Sequence, residues 1–99
     1  MNMQKHLLYI TNLYVKDVSS KIRAVKADWN DLENTVSIAI YFDGQASEEE
    51  LEDFQEATTE IIAHCSNALL EENFIRLDYP KPLPENPHWA YKRNEEKIA

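Results

Sequence analysis

Four side chains in this 99-residue sequence could act as a nucleophile, a proton shuttle or a soft metal ligand near neutral pH: Cys65, His6, His64 and His88. His64 and Cys65 are neighbours, and neighbours on a helix point about 100° apart, so they do not converge on one reacting atom. Cys65 also falls on an apolar helical stripe, which reads as a buried structural thiol. His6 and His88 lie far apart in the chain and belong to no pattern. There is no CxxC, no HxxxH and no comparable ligand spacing, so no metal is expected. Gly44 is the only glycine. That rules out the GxSxG, GxGxxG and Walker-type loops, each of which needs more. Carboxylates are abundant, but none is marked as one half of an acid/base pair. No catalytic or cofactor-binding residue is therefore expected, and the chain does not read as an enzyme.

The acids are distributed unevenly. Residues 43–60 hold Asp43, Glu48, Glu49, Glu50, Glu52, Asp53, Glu56 and Glu60 and contain no Lys or Arg. Eight of the 18 acids fall there, which leaves ten against ten Lys and Arg elsewhere, so the whole formal charge of −8 is local. Such a run is ordinarily a solvated face that keeps a protein soluble. Here no Lys is interleaved four residues on, as it would be in a helix tuned for its own stability. A one-sided acidic field steers basic partners and repels nucleic acid. Lys and Arg are scattered and do not alternate with aromatics, so nucleic-acid binding is not expected.

The elements that must carry these residues follow from the pattern. The length fits one domain over residues 1–99 with a small core. Leu7, Ile10, Tyr14 and Val18, with Leu13 beside them, predict a helix over 6–18. Residues 22–29 alternate as a strand with Val25, Ala27 and Trp29 on one face. A polar turn over 30–34 leads to a second strand, 35–42. Its Val36, Ile38, Ile40 and Phe42 face one way; Ser37, Ala39 and Tyr41 face the other. Ser47 and Glu50 form a capping box that starts a second helix. Leu51, Phe54, Thr58, Ile61, Ile62 and Cys65 make its buried stripe, with Glu49, Glu52, Asp53, Glu56 and Glu60 opposite. Residues 73–79 predict a third strand. Four prolines from Pro80 to Pro87 predict an extended loop, and 88–93 a short fourth strand. The tail 94–99 is expected to fray. The fold class is α+β, in the order α-β-β-α-β-β, with helices on an antiparallel or mixed four-stranded sheet.

A lone cysteine allows no internal disulfide and favours a reducing compartment. No secretory signal is apparent and no apolar run approaches a membrane span, so a soluble cytoplasmic protein is expected.

Three segments carry a resemblance to a known class. They are R-A-V-x-x-D-W (Arg23 to Trp29), Y-F-D-G (Tyr41 to Gly44) followed by S-E-E (Ser47 to Glu49), and I-R-L-D-Y-P-x-P-L-P (Ile75 to Pro84). The chain over 22–93 resembles small bacterial immunity proteins of contact-dependent growth inhibition and related polymorphic-toxin systems. The resemblance implies a non-enzymatic cytoplasmic inhibitor of a toxin encoded by the adjacent gene. Many such toxins are basic nucleases, which agrees with the acidic block. No functional residue is carried over from it.

The residues expected to touch a partner come from the side chains themselves. Glu49, Glu52, Asp53, Glu56 and Glu60 would steer a basic toxin domain. Trp29, Asp31, Trp89 and Tyr91 would supply anchors, since Trp and Tyr dominate interface hot spots. The alternatives are a small enzyme or ligand-binding domain that uses its carboxylates, and a structural interaction module. Self-association is left open.

Overall fold

Asn2 opens the first helix of the computed structural model, which describes residues 2–65 and 67–95. Its side chain accepts from the Lys5 N–H at 3.2 Å, and α1 runs over Met3–Val15. The helix begins and ends three residues earlier than the apolar spacing predicts. The Asn cap satisfies an N-terminal donor. Beyond Val15 the chain turns, and the Ser19 hydroxyl accepts from the Lys21 N–H. Val18 therefore packs from the turn rather than from the helix. Leu13, at the edge of the predicted apolar stripe, lies with Tyr9 on the solvent side of α1, at 43% and 64% exposure.

The hairpin forms as predicted. Strand β1 (Ile22–Asn30) pairs antiparallel with β2 (Thr35–Phe42), from Ile22 against Phe42 to Asn30 against Thr35. Asn34 takes a positive φ of 50° in the turn, which Asn tolerates better than most residues. Val36, Ile38, Ile40 and Phe42 join Ile22, Val25 and Ala27 in the core beneath the helices. Each fully buried Val or Ile among them contributes roughly 1.5–3 kcal/mol relative to exposure. On the opposite face of the sheet, Tyr41 is only 9% exposed. Trp89 covers it edge-to-face, with ring centroids 5.6 Å apart.

The capping box at Ser47 and Glu50 is present in both directions, and it starts α2 (Glu48–Ala63). Phe54, Ala57, Thr58 and Ile61 are its fully buried positions. Cys65, just past the helix, is buried as expected; its thiol donates to the Ile61 carbonyl, and burial pushes its pKa up. The helix is the crossover that a parallel strand pair requires. Strand β3 (Leu69–Arg76) lies parallel to β2 in an unbroken register from Thr35–Leu69 to Phe42–Arg76.

β3 starts four residues before the predicted 73 and stops three before 79. Asn67, at φ 60°, turns the chain after α2. Its carbonyl accepts from the Asn34 amide side chain, and the Leu69 N–H then donates to Asn34 O at 2.8 Å. At the other end Asp78 and Tyr79 leave the sheet to bond Asp43 and Gly44. The doubled pairs Leu69–Leu70 and Glu71–Glu72 hide the period of two that marks a strand.

Strand β4 (Trp89–Lys92) pairs antiparallel with β1, so the sheet is mixed, in the order β3-β2-β1-β4. Helix α1 lies against β1 and β4, and α2 against β2 and β3. This is the α+β architecture expected. Of the tail expected to fray, Asn94 and Glu95 are described and Glu95 is held by two arginines; residues 96–99 lie outside the described residues. No described helix is long and apolar enough to cross a membrane.

Candidate functional site: an unpaired acidic helix face

Two of the acids in residues 43–60 serve the fold. Glu50 accepts from the Ser47 N–H and from Lys21 Nζ at 2.8 Å. The lysine, and then the capping contact, hold its carboxyl below the usual range. Asp43 accepts from the Tyr79 N–H and from Arg93.

The five predicted site acids on α2 behave differently. Glu49, Glu52, Asp53, Glu56 and Glu60 are all exposed, and none makes a hydrogen bond or ion pair with a described residue. The chain folds this way because Phe54, Ala57, Thr58 and Ile61 take the inner stripe, which leaves the intervening positions to water. A shallow depression of about 230 Å³ between the helices joins Asp53, Glu56 and Glu60 to Tyr14 of α1. The Tyr14 hydroxyl is 2.8 Å from His64 Nε2, and the two rings lie 5.4 Å apart. The ridge is chemically simple: a row of solvated carboxylates beside one aromatic ring, suited to guanidinium and ammonium groups.

The four predicted anchors are not brought to that ridge as a group. Trp29 is half-buried against the core on the helix-covered face, and its backbone N–H donates to Gln4 Oε1. Tyr91 also packs on the core, from β4. Trp89 lies across Tyr41 on the other face of the sheet. Asp31 is exposed in the β1–β2 turn. Beside these residues, His88 Nδ1 and Asp28 make a close contact, and the His88 carbonyl accepts from the Ala27 N–H. These anchors therefore sit on the β1/β4 half of the sheet, while α2 covers the β2/β3 half.

A buried ionic seam at one end of the sheet escapes the sequence reading. Arg23 is 2% exposed. Its Nε and Nη2 donate to both oxygens of Glu95, at 2.6 and 2.8 Å, and Nη1 donates to Leu77 O at 2.7 Å. The Tyr79 ring lies 5.7 Å from its guanidinium carbon. Arg93 donates to Glu95, Asp43 and Ser20 O. The hydrogen bond from Arg23, then that from Arg93, holds the Glu95 carboxyl below its ordinary pKa despite partial burial. Glu95, reached from the far end of the chain, carries no local signal that would reveal the pairing. The same end interlocks Gly44 N–H with Asp78, and Tyr79 N–H with Asp43. Gly44 sits there at φ +79°, a conformation that disfavours a side chain. Each resembling segment thus sends residues into one structural joint: Arg23 from the first, Asp43 and Gly44 from the second, and Leu77, Asp78 and Tyr79 from the third.

No described group of three or more His, Cys, Asp or Glu is placed to hold a metal ion. Among the described residues the acids that brace the fold are paired, and those on one face of α2 are not. Residues 4–95 match the family model described as MafI2 immunity protein, and the chain belongs to that family. No curated protein matches it. Membership carries an immunity function and implies a toxin as partner.

Proposed function

We propose that this immunity protein binds a basic toxin domain, a nuclease encoded by the adjacent gene, and blocks access of its substrate. It acts by binding and carries out no chemistry of its own. The observation that supports this reading is the contrast in pairing: Glu49, Glu52, Asp53, Glu56 and Glu60 stay unpaired with described residues, while Glu50, Asp43 and Glu95 are paired. Exposed like charges on one helix face weaken the helix slightly, so the fold itself does not call for them and a role outside the fold is favoured. In the complex the carboxylates occupy positions that substrate phosphates would take, and they speed encounter through long-range attraction. The setting is a bacterial cytoplasm and a system of the contact-dependent growth inhibition type.

Co-expression tests this. The neighbouring gene's C-terminal domain is induced in cells that carry either the wild-type protein or a variant with Glu49, Glu52, Asp53 and Glu56 changed to Gln or Asn. The wild type should rescue growth, and the variant should rescue less at limiting expression. Equal rescue by a folded variant contradicts the role given to this face.

A further inference from the structure

The two edges of the sheet are finished differently. β4 is four residues long, follows the proline loop, carries Lys92 and has a register shift against β1. These are ordinary means of blunting an edge. β3 is eight residues long, straight in register along β2, and contains neither Lys nor Pro. Among the described residues no strand pairs with its outer side.

The direction of its free groups follows from two bonds. Leu69 N–H donates to Asn34 O and Leu77 N–H donates to Phe42 O. By alternation, residues 69, 71, 73, 75 and 77 turn their backbone groups to β2. Leu70, Glu72, Phe74 and Arg76 turn theirs to the open edge. On the uncovered face β3 presents Leu69 at 66% exposure and Ile75 at 37%, with Glu71 and Asn73 between them. On the covered face Phe74 packs on Phe54 of α2, ring centroids 5.7 Å apart, and Glu72 contacts the Thr58 hydroxyl. The acidic helix therefore lies directly beside this edge. Arg76, the one cation of β3, is neutralised by Asp78 at 3.0 Å.

We infer that β3 is a docking edge, and that its occupant is an extended strand of the basic toxin domain. The inference rests on the function proposed above. Backbone pairing supplies a register, and alternate side chains supply selectivity. A strand laid along this edge places residues opposite Leu69, Glu71, Asn73 and Ile75 in turn. The complementary pattern is apolar, Lys or Arg, polar, apolar, each separated by one residue. Charge decides between occupants. A second copy would bring two acidic helices and two Glu71–Glu72 pairs together, whereas a basic strand meets opposite charge at Glu71–Glu72 and from the neighbouring α2.

Hydrogen exchange of the full chain, free and mixed with the neighbouring gene's toxin domain, tests the docking. The amides of Leu70, Glu72, Phe74 and Arg76 should gain protection only in the complex. The doubly substituted Leu69→Lys, Ile75→Lys protein changes exposed side chains and should keep its melting temperature. Its affinity should fall by on the order of 100-fold, the effect of losing central apolar contacts. A complex without added protection at those four amides overturns the docking edge and leaves the acidic face standing. If instead the α2 carboxylate variant binds as the wild type does while the edge variant fails, the edge stands and the steering reading falls. Absence of any complex overturns both. Protection that appears in the free protein as concentration rises, with dimers in sedimentation, overturns the toxin strand in favour of a second copy.

Discussion

The carboxylates of the ionic seam and those of the α2 ridge are the same chemical groups in opposite situations. At the seam, Glu95 bridges Arg23 and Arg93, and Asp43 shares Arg93 with it. On α2, five acids stand in water without a described partner. The chain has ten Lys and Arg, enough for either arrangement. It pairs Arg23 and Arg93 with Glu95 and Asp43 at the sheet end and puts no Lys or Arg inside the acidic run. A buried guanidinium left alone would be costly, so the seam must be complete for the sheet end to close. Solvated carboxylates cost little, so the ridge can be set by what it meets outside the molecule. Pairing, rather than charge count, separates the acids that make the fold from those available to a partner.

Both regions stand on one packed sheet, and Ile38 lies 1% exposed in the middle of β2. Ile38→Ala should cost roughly 2–5 kcal/mol, from lost transfer energy plus a cavity. Chemical denaturation measures it. A loss below about 1 kcal/mol would mean that β2 does not carry the core.

Glu95→Gln breaks the seam. Because Glu95 keeps a fifth of its side chain exposed, the cost should be about 2–3 kcal/mol, below the full range for a buried pair. The sign of its pH dependence is fixed. The folded carboxyl is held below 4.5, its ordinary value. Its stabilisation is therefore fully present above that value and is lost as pH falls through the folded pKa. Melts of wild type and Glu95→Gln should differ most near neutrality, and the gap should close only as pH falls below the lowered folded-state pKa. A constant gap across that range would show that the seam acts through shape rather than charge.

Much of the fold was legible because local patterns agreed with tertiary needs. The capping box at Ser47, the alternation of Val36 to Phe42 and the acidic face of α2 each follow from neighbours in sequence. What was hidden depends on distant partners. β3 begins where Asn67 and Asn34 meet, and its doubled Leu and Glu pairs mask its period. Arg23 looks like an ordinary strand cation until Glu95 arrives from the far end. The acids on α2 were legible as a face, whereas Trp29, Asp31, Trp89 and Tyr91 were not separable by sequence: Trp29 and Tyr91 support the core, Trp89 covers Tyr41, and Asp31 alone is fully in solvent. The resembling segments were visible as words, but the joint they build needed three dimensions.

The ridge should be nearly silent in stability. Changing Glu49, Glu52, Asp53 and Glu56 to Gln or Asn should leave the melting temperature unchanged or slightly raised, since like-charge contacts along a helix cost only a few tenths of a kcal/mol. Its effect should appear in encounter. Stopped-flow association with the neighbouring gene's toxin domain, at low and high salt, measures this most directly. The wild type should associate fast at low salt and slow steeply as salt rises; the variant should be slow at low salt and nearly flat. A folded variant that associates as fast as the wild type at low salt, with the same salt dependence, would contradict the claim that the unpaired acids of α2 face the toxin.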